Sequence, residues 1–230
     1  MTTRPATVAV LCSGGLDSVV LAAHLARESD VQPIYVSVGL AWEAAERQAL
    51  ARLATVPGFA GHIRPLVSLD VTMRDVYGGA HWAVTGTPPA YDTPDEDVYL
   101  AGRNIILLAK AGVYCASAGI HRVAIGPLAG NPFPDATPAF FAAMAQALAL
   151  GLGHTIDVEA PFVTFEKADV IRLGQSLGVP MEISMSCMNP QGDRHCGLCS
   201  KCRERRDAFD EAGVPDLTAY ASPAPRPDYS

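Results

Sequence analysis

The stretch Val8–Leu21, VAVLCSGGLDSVVL, constrains this chain more than any other, because an apolar β-branched run meets a Gly-Gly turn and an apolar helical pattern follows at once. The sequence therefore predicts strand, tight loop and helix in direct succession. Such a junction binds anions: the first N–H groups of a helix have no intrahelical partner, and the helix dipole adds partial positive charge there. Gly14 and Gly15 lack a Cβ, so a phosphate is expected to approach the main chain closely. Leu11 at the strand end and the hydroxyls of Ser13 and Ser18 belong to the same expected cradle, while Asp17 is expected to cap the helix or to hold a Mg²⁺. An ordinary Gly-rich turn with helix-capping serines is the plain alternative.

The full string SGGLDS resembles the pyrophosphate loop of the N-type ATP pyrophosphatases, enzymes that split ATP into AMP and pyrophosphate while activating a carbonyl or carboxylate. It lacks the Gly-Lys-Ser/Thr ending of the Walker pattern. That resemblance implies ATP as the cofactor.

Downstream, strands are expected over 34–38, 63–69, 122–125 and 154–159, with helices over 20–28, 42–54, 104–118, 138–150 and 165–177. This alternation predicts an α/β fold with a doubly wound parallel sheet and the ligand at the carboxyl ends of its strands. At 230 residues the chain suits one such domain with a small appendage, here an α/β nucleotide-binding domain over 1–178 and a metal-binding region with its tail over 179–230. Between Tyr77 and Leu100 the periodicity fails, and a long loop rich in proline, glycine and acids is expected, either a functional segment or disordered.

The last segment carries Cys187, Cys196, Cys199 and Cys202 in the spacing C-x8-C-x2-C-x2-C. A Cys-x2-Cys step lets two sulfurs converge from one turn, and tetrahedral Zn²⁺ favours four thiolates, so a closed structural zinc site is expected. The same four thiolates suit an iron–sulfur cluster as well. Cys12 and Cys115 stand in apolar surroundings and read as buried small hydrophobes. His195 is an alternative donor, a substrate contact or a solvated residue, and the run Arg203, Arg205 and Arg206 reads as a basic helix or a solvated face.

With both ends read, the sequence resembles the 7-cyano-7-deazaguanine synthase family. The pieces that carry the resemblance occur in order: LCSGGLDSVVL, AGRNIILLAKAGVYCASAG, FPDATPAFFAAMAQALALG, TFEKADVIRLGQSLGVP and SMSCMN…HCGLCSKCRERRDAF. The resemblance implies that ATP activates a 7-deazapurine carboxylate, that ammonia displaces AMP to give an amide, and that a second ATP drives dehydration to a nitrile. It also implies Mg²⁺ beside the phosphates and a homodimer. On this reading Asp17, Ser18, Arg103 and Lys167 are catalytic, Leu11, Ser13, Gly14, Gly15, Asp17 and Ser18 hold the nucleotide, and Arg103, Asn104, Phe133 and Asp135 meet the substrate. From the residues alone, Arg103 is either a bidentate anion contact or half of a surface salt bridge, and Lys167 either a point charge for a phosphate or a solvent-facing lysine.

Two segments depart from the family. Gly39, Leu40, Ala41 and Trp42 replace a Gly-Gln-Arg-His stretch, and Phe133, Pro134, Asp135, Ala136 and Thr137 replace Tyr-Pro-Asp-Cys-Arg. The lost donors lie in the expected base-recognition wall, so a related carboxylate, another amine or a reaction that stops at the amide are alternatives. A net charge of -7 argues against a broad basic face for nucleic acid, and tRNA thiolation by the same ATP chemistry would need one. A degenerate nucleotide binder built around the cysteine knuckle is the non-enzymatic alternative. With no stretch apolar enough to span a bilayer and no cleavage signal, a cytoplasmic protein with no membrane partner is expected.

Overall fold

A computed structural model describes residues 6–56 and 62–225. Five strands, β1 Thr7–Leu11, β2 Asp30–Ser37, β3 Val67–Asp70, β4 Arg122–Ala124 and β5 Asp157–Glu159, form one sheet in the order β3-β2-β1-β4-β5. Every pairing is parallel. The chain runs outward from β1 through β2 to β3, then returns to the other side of β1 for β4 and β5. The doubly wound sheet is therefore present, with its reversal point between the carboxyl ends of β1 and β4. A crevice opens at such a point because the two following connections leave to opposite sides.

Among the described residues eight α-helices complete the fold: α1 Leu16–Leu25, α2 Glu43–Leu53, α3 Arg74–Tyr77, α4 Trp82–Thr85, α5 Arg103–Ala118, α6 Pro138–Leu152, α7 Lys167–Ser176 and α8 Ser200–Ala212. The two-residue period of β1 divides the core. Val8, Val10 and Cys12 face a cluster with Val20, Leu21, Ile171 and Phe209, whereas Ala9 and Leu11 face one with Leu108, Ala111, Cys115 and Phe141. Cys12 and Cys115 are thus buried on opposite faces, and burial pushes both thiols up to about 11.

Where element boundaries differ from expectation, the cause is local. The third strand begins at Val67 rather than Ile63, which makes only an isolated bridge to Val31. Pro33 and Pro65 lack the N–H groups a ladder needs there, and the buried amide of Gln32 instead donates to both proline carbonyls, at 3.2 and 2.9 Å. His154 likewise lies outside β5: its ring stacks on His121 at 4.2 Å and Nε2 lies 3.0 Å from the Ile120 carbonyl. The segment 77–100 is ordered, with α4 and a 3-10 turn at Asp95–Val98. It is pinned by a chain of ring contacts from Tyr77 through His81 and Trp82 to Trp42.

Candidate functional site

A cleft of about 550 Å³ opens at the reversal point of the sheet. Its floor is the end of β1 and the turn into α1: Leu11, Cys12, Ser13, Gly15, Leu16, Asp17 and Ser18. Gly15 is the N-cap of α1 without a side-chain cap, and the first intrahelical bond runs from the Val19 N–H to the Gly15 carbonyl at 3.1 Å. The N–H groups of Leu16, Asp17 and Ser18 consequently have no helical acceptor. Ser13 Oγ accepts from the Gly15 N–H, and the Ser18 hydroxyl donates to the Gly15 carbonyl at 2.9 Å, so both hydroxyls brace the turn from inside.

The two glycines have different jobs. Gly14 has φ +82°, and a Cβ there would lie 2.8 Å from the Glu46 carbonyl of α2. Its missing side chain serves the packing of α2, a role that the expectation for the pair did not include. Its carbonyl accepts from the Met185 N–H at 2.8 Å, which ties the loop to the segment leading into the cysteines. Gly15 lines the cleft, and a Cβ there would crowd Ser13 Oγ at 3.2 Å.

First turns of α1, α5, α7 and α8 all reach this cleft, through Asp17 and Ser18, Arg103 and Asn104, Lys167, and Lys201. Of these, α1, α5 and α7 follow parallel strands and so begin at the carboxyl edge of the sheet, whereas α8 follows α7. Three cations, Arg103, Lys167 and Lys201, line the cleft together with five carboxylates, Asp17, Glu46, Asp135, Glu166 and Glu204. Asp17 does not cap α1. Its Oδ2 accepts from Lys167 Nζ at 2.6 Å, and its Oδ1 is buried with no partner among the described residues. Lys167 also meets Glu204 at 3.0 Å, and burial alone would lower its pKa, but Asp17 and Glu204 more than offset this and hold the ammonium above the ordinary lysine range. For Glu204, burial raises the carboxyl, yet Lys167 and Lys201 outweigh it and bring it down to about 2.

Arg103, at the first position of α5, has a buried Nε without a partner among the described residues. No carboxylate pairs with it at salt-bridge distance among the described residues, so it lines the cleft as an uncommitted fork. Asp135 is 5% exposed and is engaged with Asn104: its Oδ2 accepts the Asn104 N–H at 3.0 Å, and its carbonyl accepts from Asn104 Nδ2 at 2.9 Å. The pair fixes the start of α5, and with it Arg103, against the 130–136 loop. Phe133 stacks on Tyr99 at 4.9 Å, and with Trp82 and Trp42 these rings give the cleft an aromatic wall where the departures from the family fall.

Sequence reading missed Glu46, Glu204 and the aromatic contribution of 77–100. Glu46 is 6% exposed and accepts the Tyr35 hydroxyl at 2.7 Å; burial raises its carboxyl to about 7, against the pull of Arg103 and Tyr35. Both acids look like ordinary helix-surface glutamates in the sequence, and no local signal separates them from Glu43. That residue accepts the N–H groups of Val38, Gly39 and Leu40 on one oxygen and shapes the turn after β2.

Cys187, Cys196, Cys199 and Cys202 are all buried, with sulfurs within 4.8 Å of one another. Backbone N–H groups of Asn189, Cys196, Leu198 and Gly197 donate to three of the sulfurs at 3.2 to 3.4 Å, the orientation that negative thiolates favour. The donor set fits a four-thiolate metal site. His195 is not a donor to it: its Nε2 accepts from the Ser186 N–H at 3.1 Å, and burial beside Arg205 pushes the imidazole down to about 3. Neither does the arginine run form a solvated face. Arg205 is 1% exposed and donates to Thr218, Ser184, Ser186 and the Met181 carbonyl; Arg206 reaches the Gly197 and Ser222 carbonyls, and Arg203 the Thr93 carbonyl.

The family model described as "Queuosine biosynthesis protein QueC" matches residues 7–213. A 7-cyano-7-deazaguanine synthase of Methanothrix thermoacetophila is 36% identical over 220 residues, covering 91% of this chain and 96% of that protein. Proteins of the same name from Anaeromyxobacter dehalogenans and Kineococcus radiotolerans are 35% and 34% identical, over 92% and 94% of this chain and 94% and 98% of theirs. Among solved structures, a 4-thiouridine synthetase in complex with RNA and bound ATP superposes with a TM-score of 0.50 at 15% identity, over 90% of this chain and 51% of the other. That likeness is one of fold.

Proposed function

The chain belongs to the 7-cyano-7-deazaguanine synthase family of queuosine biosynthesis, and from that premise we propose that it converts 7-carboxy-7-deazaguanine and ammonia to the nitrile by way of an adenylate. The observation that carries this reading is the convergence of the Ser13–Ser18 turn, the first turns of four helices, Arg103 and Lys167 on one cleft. A carboxylate is a poor electrophile until its oxygen becomes part of a good leaving group. Attack of that oxygen on the α-phosphorus of ATP forms the acyl adenylate and releases pyrophosphate; ammonia then adds at the carbonyl carbon and expels AMP to leave the amide. Adenylation of the amide oxygen by a second ATP releases pyrophosphate and one N–H proton, and loss of the second N–H proton with departure of AMP gives the nitrile.

This chain's residues supply binding and charge rather than covalent chemistry. The N–H groups of Leu16, Asp17 and Ser18, with Lys167, meet the developing charge on the departing pyrophosphate, where preorganised donors stabilise a transition state most effectively. Arg103 offers a two-pronged contact to the acid or to the α-phosphate. The unpartnered Oδ1 of Asp17 fits a cation ligand, and Mg²⁺ bound there would neutralise the polyphosphate. The four-cysteine site holds no open position in this reading and serves structure.

Purified protein with ATP, Mg²⁺, ammonium and the acid is expected to release AMP and pyrophosphate only when the acid is present, with mass spectrometry identifying the nitrile. Absence of acid-dependent AMP release overturns the proposal. The aromatic wall of Trp42, Trp82, Tyr99 and Phe133 favours a second reading, in which the same machinery acts on a related carboxylate, joins it to another amine or stops at the amide; the product mass from the same reaction decides between them.

A further inference from the structure

Four charged side chains from three helices stand in a row at the edge of the cleft: Asp17 on α1, Lys167 on α7, and Glu204 and Lys201 on α8. Lys167 Nζ lies 2.6 Å from Asp17 Oδ2 and 3.0 Å from Glu204 Oε1, while Lys201 Nζ meets the other oxygen of Glu204 at 2.5 Å. An ammonium paired with a single carboxylate gains most by sitting between its two oxygens. Here only one oxygen of Asp17 is engaged, and the other is buried without a partner among the described residues. The second carboxylate pulls the ammonium to one side. Glu204 is well placed to do so, because the neighbouring Arg205 anchors α8 to Ser184, Ser186 and Thr218.

We propose that Glu204 is a positioning residue for the nucleotide site: it shares Lys167 with Asp17 and keeps the ammonium on one oxygen of that carboxylate, so that the other oxygen remains able to serve the nucleotide's cation while Lys167 serves its phosphates. The inference rests on the ATP reading of the cleft. Without the pull of Glu204, Lys167 would settle across both oxygens of Asp17, so that a cation would find neither oxygen of that carboxylate open. The spacing of Glu204 from Lys201 also suits an ordinary surface i,i+3 pair, and such a pair alone would leave nucleotide binding unchanged.

The test is calorimetric binding of α,β-methylene-ATP to the full-length, metal-loaded protein over a Mg²⁺ titration, for the wild type, Glu204→Gln, Lys167→Met and the double variant. Glu204→Gln is expected to weaken binding roughly ten-fold and to raise the Mg²⁺ concentration at half-saturation, the size of one charged hydrogen bond. In the Lys167→Met background the same change is expected to do nothing further. Glu204→Asp, which keeps the charge, should stay closer to the wild type than to Glu204→Gln even if the latter proves poorly folded. Wild-type affinity in Glu204→Gln, an equal loss with Lys167 already removed, or identical behaviour of the Asp and Gln variants overturns the inference. No nucleotide binding by the wild type overturns instead the reading on which it rests.

Discussion

The Glu46 carboxyl accepts the Tyr35 hydroxyl at 2.7 Å and titrates near 7 because burial disfavours its charge more than Arg103 and Tyr35 favour it. Its unfolded value is 4.5, so between about 4.5 and about 7 the folded state holds the proton more tightly than the unfolded chain. The stability it contributes is complete below that window and falls as pH rises through it, by up to roughly 3 kcal/mol. Glu46→Gln is therefore expected to flatten this part of the stability profile, measured by urea unfolding at about pH 5 and about pH 8. A variant that keeps the wild-type slope would show that another group is responsible. Glu46 also illustrates why some site residues escape sequence reading: a helical glutamate is called into the interior only by what the fold sets against it, here a tyrosine from β2 and an arginine from the start of α5.

At the scale of elements, α8 joins two sites. Cys199 is its N-cap and Cys202 lies in its first turn, while Glu204 and Arg205 follow immediately and reach Lys167 of α7 and the 181–186 segment. The other end of that segment holds the loop through the Met185 N–H. Four thiolates with sulfurs within 4.8 Å of one another, three pairs of them at 3.5 to 3.9 Å, would repel unless a cation sat among them. The protein is expected to be colourless with stoichiometric zinc, and Cys199→Ser to lose that metal and to lower the melting midpoint by several degrees, since structural zinc contributes directly to folding. Metal analysis and thermal unfolding check this. Broad visible absorption with bound iron would assign a cluster instead. The spacing of the cysteines made this site legible, because a metal knuckle is short and its ligands are near neighbours in the chain. Nothing comparable announces the arginine run, whose three side chains leave one helix in different directions to meet separate backbone and hydroxyl acceptors.

Across the whole molecule, the cleft is assembled from the loops after β1 and β4, the first turns of α1, α5, α7 and α8, and the 77–100 segment. A nucleotide bound there contacts parts of the chain from both halves of the sheet, so it should stabilise the fold as a unit. ATP with Mg²⁺ at about a hundred times its dissociation constant adds about 2.7 kcal/mol, a rise in melting midpoint of roughly 5–10 °C for a chain of this size. An unchanged midpoint at saturating nucleotide would remove the cleft as an ATP site. Local periodicity determined the strand–loop–helix opening, the alternation that makes a parallel sheet and the cysteine knuckle, because each depends on residues close together in the chain whose spacing alone sets backbone conformation or ligand convergence. The partners of Lys167 were decided only by tertiary structure, since Asp17 lies 150 positions away, and so were the burial of Glu46 and Arg205 and the packing role of Gly14 against α2. Those depend on which surfaces the folded sheet brings face to face, and on the loss of water between them, which turns residues of ordinary solvent-facing type into paired charges and fixed donors.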